Sequence, residues 1–462
     1  MGCCLQLCVE AIGTADHKHG GRRLARPDLQ SLGQCPGGEL FATFIQCDGQ
    51  RLAGDLRADA FGFGGEHHFR AAVSGTLFRL ELKQLKRPLR REAFAVVGDG
   101  VVHPARLVVA ERDQAWINLG IYWEHDWTAD GAIQEQRPAW QRKIATQITG
   151  FVDSLAHDSA AALGAMIPNP SEYKRFYAFN QLSWTRTDFA DITYTENDPI
   201  YVVDVSTGLE APSQLVIIDG QRYLRVLASD IPPVGYKTFE IRPGTPGNFS
   251  DAASVSGNVV ENAFYRLTIG NNGAITSLID KTRGEQEFAR EINGKFINDL
   301  GASEGSFEIE SVGPVSVTIK TTAAAPLQHT TRITLFRDSD RIEIRNEINQ
   351  NFSEVYTWGY SFNLDNPDTW HEEVGNILRA KTTPNGGHYS AIGSRLDWLT
   401  LNHFADMTGS NNTGVTLSNA DCHFMQLGFS DVISLDTNTP RIAPLVGGQV
   451  DGPRLGIANQ GG

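Results

Sequence analysis

Arg341-Ile342-Glu343-Ile344-Arg345-Asn346-Glu347-Ile348 puts an isoleucine or a polar residue at alternate positions for eight residues. That period of two is the mark of a strand with one buried face and one wet face. Just upstream, Thr331-Arg332-Ile333-Thr334-Leu335-Phe336 and Val315-Ser316-Val317-Thr318-Ile319 are β-branched and alternate in the same way. Phe264-Tyr265-Arg266-Leu267-Thr268-Ile269 adds a fourth strand, and Asn271-Asn272-Gly273 and Asn385-Gly386-Gly387 supply turns. No strand–helix alternation and no glycine-rich phosphate loop occur here, so the pattern predicts a large antiparallel β-sandwich over residues 258–462.

Working upstream, Pro243-Gly244-Thr245-Pro246-Gly247 and the Ser/Ala/Gly stretch to Gly257 read as a linker. Before it, Arg175-Phe176-Tyr177-Ala178-Phe179-Asn180, Tyr201-Val202-Val203-Asp204-Val205, Gln214-Leu215-Val216-Ile217-Ile218 and Tyr223-Leu224-Arg225-Val226-Leu227 are short strands. Asp219-Gly220 between the last two is a hairpin signal. With Val234–Ile241 they predict a first β-sandwich over residues 169–245. Earlier still, Trp140, Ile144, Ile148, Phe151, Val152 and Leu155 recur at three- and four-residue steps, with Pro138 in a first-turn position. This predicts an amphipathic helix packed against another ending near Tyr122, a small helical segment over residues 106–168.

The texture breaks near residue 105. Residues 1–100 hold 13 Lys and Arg against 11 Asp and Glu, while the remainder holds 27 against 43. Five of the six cysteines (Cys3, Cys4, Cys8, Cys35, Cys47) also lie in this first part, with Cys422 alone beyond it. Their spacing fits neither a zinc cluster nor a disulfide framework, and free thiols suit a reduced compartment. Residues 1–105 show no sustained period, and the expectation is a poorly structured or out-of-frame region.

The net charge of −14 argues against nucleic acid as a partner. No apolar run approaches the roughly 18 residues needed to cross a bilayer, and no secretory leader is visible, so a cytoplasmic location without a membrane partner is expected. Asn248-Phe249-Ser250 and Asn351-Phe352-Ser353 are glycosylation sequons in form, which matter only in a secreted chain.

Between the two helices lies Trp123-Glu124-His125-Asp126-Trp127. A neutral imidazole is a good zinc ligand, a carboxylate can bond sugar hydroxyls, and the tryptophans could stack on a pyranose; His-Asp is equally a polar turn or helix cap. Glu124-His125-Asp126, then Arg175-Phe176-Tyr177-Ala178-Phe179-Asn180-Gln181-Leu182-Ser183-Trp184-Thr185-Arg186, is similar to the central part of glycoside hydrolase family 38. Asn262–Leu267 through Gly273-Ala274-Ile275-Thr276-Ser277-Leu278-Ile279-Asp280 resembles the opening of that family's large sandwich. Trp398–Phe404 followed by Gly414–Asp421 resembles a later strand pair. The resemblance spans residues 115–462.

The resemblance implies a mainly β fold with a galactose-mutarotase-like supersandwich, after a remnant of a three-helix bundle. It implies zinc-dependent retaining hydrolysis of terminal α-mannosides, with two carboxylates acting on the sugar. It makes His125 a metal ligand and Asp126 a substrate-binding residue, although Glu124 stands where the family often has histidine. It supplies no catalytic residue here: neither nucleophile nor acid/base is found. No His-x-Asp occurs in residues 1–120, His17-Lys18-His19 and His67-His68 lack the carboxylate, and Asp16, Asp28 and Asp48 have no barrel strand to present them. One imidazole does not hold catalytic zinc, which takes three protein ligands. The isolated chain is therefore expected to be an inactive fragment that does not bind zinc tightly. Its expected partners are α-mannoside oligosaccharides; self-association is left open. The alternative reading is a non-catalytic carbohydrate-binding or scaffold module. Trp370-His371-Glu372-Glu373, a histidine beside two acids, reads as structural with a sugar-facing alternative; His388, Tyr389 and His403 read as ordinary loop and sheet residues.

Overall fold

The computed structural model describes residues 2–8, 96–98, 101–103, 109–122, 136–301, 304–348, 350–420 and 422–448. The chain forms two compact units, one comprising residues 21–186 and 231–241, the other residues 1–20, 187–230 and 242–462.

In the first unit, α1 (Val109–Tyr122) packs along α2 (Gln136–Met166), as the apolar spacing predicts. Ile144 is buried, and Asn118, itself buried, donates from Nδ2 to Gln147 Oε1 across the helix pair at 3.0 Å. The stripe is only partly covered: Val152 and Leu155 remain exposed. The strands Lys174–Asn180 and Gly235–Pro243 pair antiparallel, with Phe179 opposite Tyr236 and Arg175 opposite Glu240. Asn180, buried, ties off the end of this pair. Its Nδ2 donates to the carbonyls of Trp184, Ile231 and Pro232, and its Oδ1 accepts from the Leu182 N–H.

The second unit is built on two facing antiparallel sheets. The nine-stranded sheet runs in the order Ser306–Val312, Ser316–Ala323, His329–Phe336, Arg341–Ile348, Gly2–Cys8, Gly414–Asn419, Phe404–Thr408, Asp368–Glu373, Asn376–Arg379. Its edge strand Ser306–Val312 carries a bulge between Ile309 and Ser311. The eleven-stranded sheet starts with Ser254–Ser256, Val259–Glu261, Tyr265–Ile269 and Ile275–Asp280, and continues through Gly359–Ser361 and Arg441–Gly447 to Leu399–Thr400. Between the sheets lies one core, in which Ile333, Leu335, Ile342 and Ile344 meet Leu267, Ile275, Leu278, Trp358 and Tyr360. Burial of Ile342, Ile344 and Asn346 with partial exposure of the residues between them is the alternation read from the sequence.

The fold is mainly β with a small helical segment ahead of the sheets, as expected. Two boundaries differ from the sequence reading. The linker to Gly257 is shorter than expected, because Ser254–Ser256 already pairs with Val259–Glu261 and Ala253 enters the core. Trp398–Phe404 is not one strand: Leu399–Thr400 belongs to one sheet and Phe404–Thr408 to the other, so the chain crosses the sandwich there. Within residues 1–105 the described residues are the strand Gly2–Cys8 and the hairpin Val96–Gly98 with Val101–His103. Leu5 lies in register opposite Ile344 on one side and Asn419 on the other.

Strands Arg186–Thr193, Gln221–Ile231 and Ser213–Ile218 form a small sheet whose Asp219-Gly220 turn has positive φ at both residues, the two-residue hairpin expected. Side chains fasten this region to the nine-stranded sheet. Gln214 accepts from the N–H groups of Val315 and Ser316 through Oε1 and donates to the Ser316 carbonyl. Gly313 permits this approach, since a Cβ there would stand 2.6 Å from Gln214 Oε1. Arg225 forks onto both oxygens of Asp191 at 2.8 and 2.7 Å, and Arg341 forks onto Asp188. No helix among the described residues is long and apolar enough to cross a membrane.

Candidate functional site

Charged, aromatic and imidazole side chains converge on the strand Asp368–Glu373 near one edge of the nine-stranded sheet. It pairs with Asn376–Arg379 through a two-residue turn and with Phe404–Thr408 on its inner side. The turn residues Val374 and Gly375 both have positive φ, 47° and 83°, which the right-handed strand twist favours in a hairpin. Glycine adopts that backbone freely, whereas valine does so at a cost. Glu372 helps hold the turn, since its Oε1 accepts from the Gly375 N–H.

Alternation sends Thr369 and His371 inward and Asp368, Trp370 and Glu372 to the other face. On that second face Asp368 accepts from Arg379 Nε at 2.9 Å, Lys381 Nζ at 2.8 Å and Trp370 Nε1 at 3.3 Å. Burial alone would raise the Asp368 carboxyl, but the bonds from Arg379 and Lys381 outweigh it and hold the group below the usual carboxylate range. The Arg379 guanidinium lies 5.9 Å from the centroid of the Trp370 ring, and His388 meets the same ring edge-on. His388 Nδ1 accepts from the Arg379 backbone N–H, and Glu372 Oε2 pairs with His403 Nδ1 at 2.8 Å. The indole is partly exposed and is flanked by a carboxylate, two cations and an exposed imidazole.

On the inward face His371 is fully buried, and burial pushes its imidazole below its ordinary value. Tyr389 bonds both His371 and Glu373. The sequence singled out His371, Glu372 and Glu373 but read His388, Tyr389 and His403 as ordinary. Asp368, Arg379 and Lys381 were missed altogether. The signal for them is the hairpin itself: a Val-Gly turn brings Arg379 across from Trp370, beside an aspartate two residues before the indole.

A recess of about 520 Å³ opens at the carboxy-terminal end of α2, lined by Gly164 to Asn169, Arg175 and Tyr177. Arg175 is already engaged there, with both Nε and Nη2 on Glu240 Oε1.

His125 and Asp126 lie outside the described residues, as do His17, His19, His67, His68, Asp16, Asp28 and Asp48. Among the described residues no group of three or more His, Cys, Asp or Glu side chains is arranged to hold a metal ion. The described residues thus do not make a zinc site, and no zinc-dependent step can be derived from them. Cys422 is buried as a free thiol, and the sequon residues Asn248 and Asn351 are exposed.

The fold and this cluster define a large two-sheet antiparallel sandwich with helices ahead of it and an aromatic, charged hairpin near one edge. It has the fold of the carboxy-terminal part of glycosyl hydrolase family 38 structures. One is a glycosyl hydrolase family 38 protein from Enterococcus faecalis, 15% identical with a TM-score of 0.52 over 73% of this chain and 48% of that one. Another is an alpha-mannosidase from Enterococcus faecalis V583, with the same identity and TM-score over 74% and 48%. The chain therefore spans about half the length of these structures. No protein-family model matches the sequence, and no curated protein matches it.

Proposed function

We propose that this chain is the carboxy-terminal β-sandwich part of an α-mannosidase-type glycosidase acting on terminal α-mannosides. The observation that carries the reading is the likeness of fold over nearly three quarters of the chain to family 38 structures. The ordered motifs of residues 124–126, 175–186, 262–280 and 398–421 support it from the sequence side. In a complete enzyme of this kind His125 would be one zinc ligand and Asp126 a neighbour bonding sugar hydroxyls. The chain alone is proposed to be catalytically silent. Purified chain should not release nitrophenol from an aryl α-mannoside with or without added zinc; chelator-sensitive turnover would refute this.

A second reading is favoured by the Trp370 hairpin: a carbohydrate-contacting module that binds without hydrolysing. Calorimetry with mannose and α-mannobiose tests it. Millimolar or tighter binding that Trp370→Ala abolishes supports it, and no heat at millimolar sugar counts against it.

A further inference from the structure

The buried side of the hairpin carries a hydrogen-bond arrangement whose protons do not add up in the ordinary ionisation states. His371 Nδ1 lies 2.7 Å from the Thr400 carbonyl oxygen. A carbonyl only accepts, so Nδ1 carries a proton. Nε2 lies 2.9 Å from the Tyr389 hydroxyl, whose oxygen is also 2.8 Å from Glu373 Oε2. The two rings lie within 10° of parallel with centroids 6.0 Å apart.

A phenol has one proton to give. With neutral His371 and ionised Glu373, that proton faces two acceptors, and one of the two contacts becomes lone pair against lone pair. Both become hydrogen bonds when the three groups carry one proton more. Placed on Nε2, it is donated to the phenol oxygen while the phenol donates to Glu373. Placed on Glu373, it is donated to the phenol oxygen while the phenol donates to Nε2. We propose that His371, Tyr389 and Glu373 hold one shared proton in the folded chain, and that this proton fastens residues 381–389 to the edge hairpin.

The surroundings fit. Burial, reinforced by Glu373, pushes the Tyr389 phenol far above its ordinary value, so the phenol keeps its own proton. Burial by itself lowers the His371 imidazole, and the Thr400 carbonyl and the Glu373 carboxylate oppose that shift. On the same strand, Asp368 and Glu372 turn to the opposite face and are occupied by Arg379 with Lys381, and by His403 with the Gly375 N–H. The adjoining strand presents Ala405 opposite His371, and its Asp406 accepts from Thr408 and Thr416. On residues 381–389, Lys381 ends on Asp368 and His388 accepts from Arg379. The same segment is tied to itself by the Thr383 N–H on the Tyr389 carbonyl and the Tyr389 N–H on the Lys381 carbonyl.

The folded state holds a proton that the unfolded chain gives up, so the stabilisation is present at low pH and is lost as pH rises through the folded-state titration. Glu373→Gln imitates the loaded arrangement permanently: its amide donates to the phenol oxygen, the phenol donates to Nε2, and no extra proton is needed. Melting curves of the full chain and of Glu373→Gln between pH 5 and pH 9 should part progressively. The unsubstituted chain should fall by about 2–4 °C relative to the variant. Hydrogen exchange at the Thr383 and Tyr389 amides, corrected for intrinsic rates, should speed up with pH in the unsubstituted chain alone. A Tyr389→Phe chain lacks both bonds and serves as a second reference if Glu373→Gln does not fold. Nitrogen NMR of His371 should show Nδ1 protonated throughout. Parallel melting curves, or an unprotonated Nδ1, would overturn the proposal.

Discussion

Phe189 and Phe336 lie face to face, their ring centroids 4.5 Å apart and their planes within 5°. The Arg225 guanidinium is 4.4 Å from the centre of Phe189, and that of Arg341 is 4.9 Å from Phe336. Each arginine also forks onto an aspartate, Arg225 to Asp191 and Arg341 to Asp188. The stack joins the small three-stranded sheet to the nine-stranded one through planar groups that pack on both faces. Phe189→Ala should lower stability by about 2–3 kcal/mol, read from denaturant midpoints at unchanged slope.

Arg225 also donates to Ser316 Oγ at 3.0 Å, so its fork serves two partners at once. Lysine cannot reproduce a planar, bidentate, ring-stacked contact. Arg225→Lys should cost about 1–3 kcal/mol although the charge is kept, and the loss should change little between low and moderate salt because the pair is largely buried.

Burial raises the Glu343 carboxyl, with Arg341 and Arg225 opposing the shift. Its folded value lies above its unfolded one, so its contribution is present below the unfolded value near 4.5 and is lost as pH rises through the folded value. Glu343→Gln removes that loss. The variant should melt above the parent at pH 7–8, and the two curves should converge as pH falls toward 4.5, measured by calorimetry.

Asn298 is fully buried, has φ of 56°, and sits at the centre of a polar knot in the core. Its Nδ2 donates to the Gly273 carbonyl, and its Oδ1 accepts from Asn346 Nδ2 and the Tyr360 hydroxyl. Asparagine tolerates the left-handed backbone better than alanine does. Asn298→Ala should therefore cost about 3 kcal/mol or more, combining backbone strain with the loss of the buried bonds to Gly273, Asn346 and Tyr360.

Val374, 66% exposed at φ 47°, offers the opposite case. It contributes little packing and holds a backbone shape that valine disfavours. Val374→Asn should raise stability by about 0.5–1 kcal/mol, visible as a higher melting midpoint.

Local periodicity made much of the sandwich legible. Residues 341–348 and the Asp219-Gly220 turn could be read because each is a nearest-neighbour pattern along the chain. Residues 398–404 misled because Leu399 and Leu401 are both buried, as in one strand, while the chain is passing from one sheet to the other. The hairpin cluster was half legible. Trp370 to Glu373 declare themselves as one run, but Tyr389 reaches His371 from 18 residues away across an irregular turn, which no period records. His125 and Asp126 rest on resemblance alone, since the described residues do not include them.

The bulge between Ile309 and Ser311 bears on how these molecules behave when crowded together. The outer strand Ser306–Val312 exposes Ile309 and Val312, and an unbroken edge of that kind would template a strand from a neighbouring molecule. The extra residue throws the outer hydrogen-bonding row out of step, while Glu308 and Glu310 on either side of Ile309 are ion-paired within the sheet to Lys320 and Arg332. Smoothing that kink would turn a self-limited sheet into one that can grow from molecule to molecule.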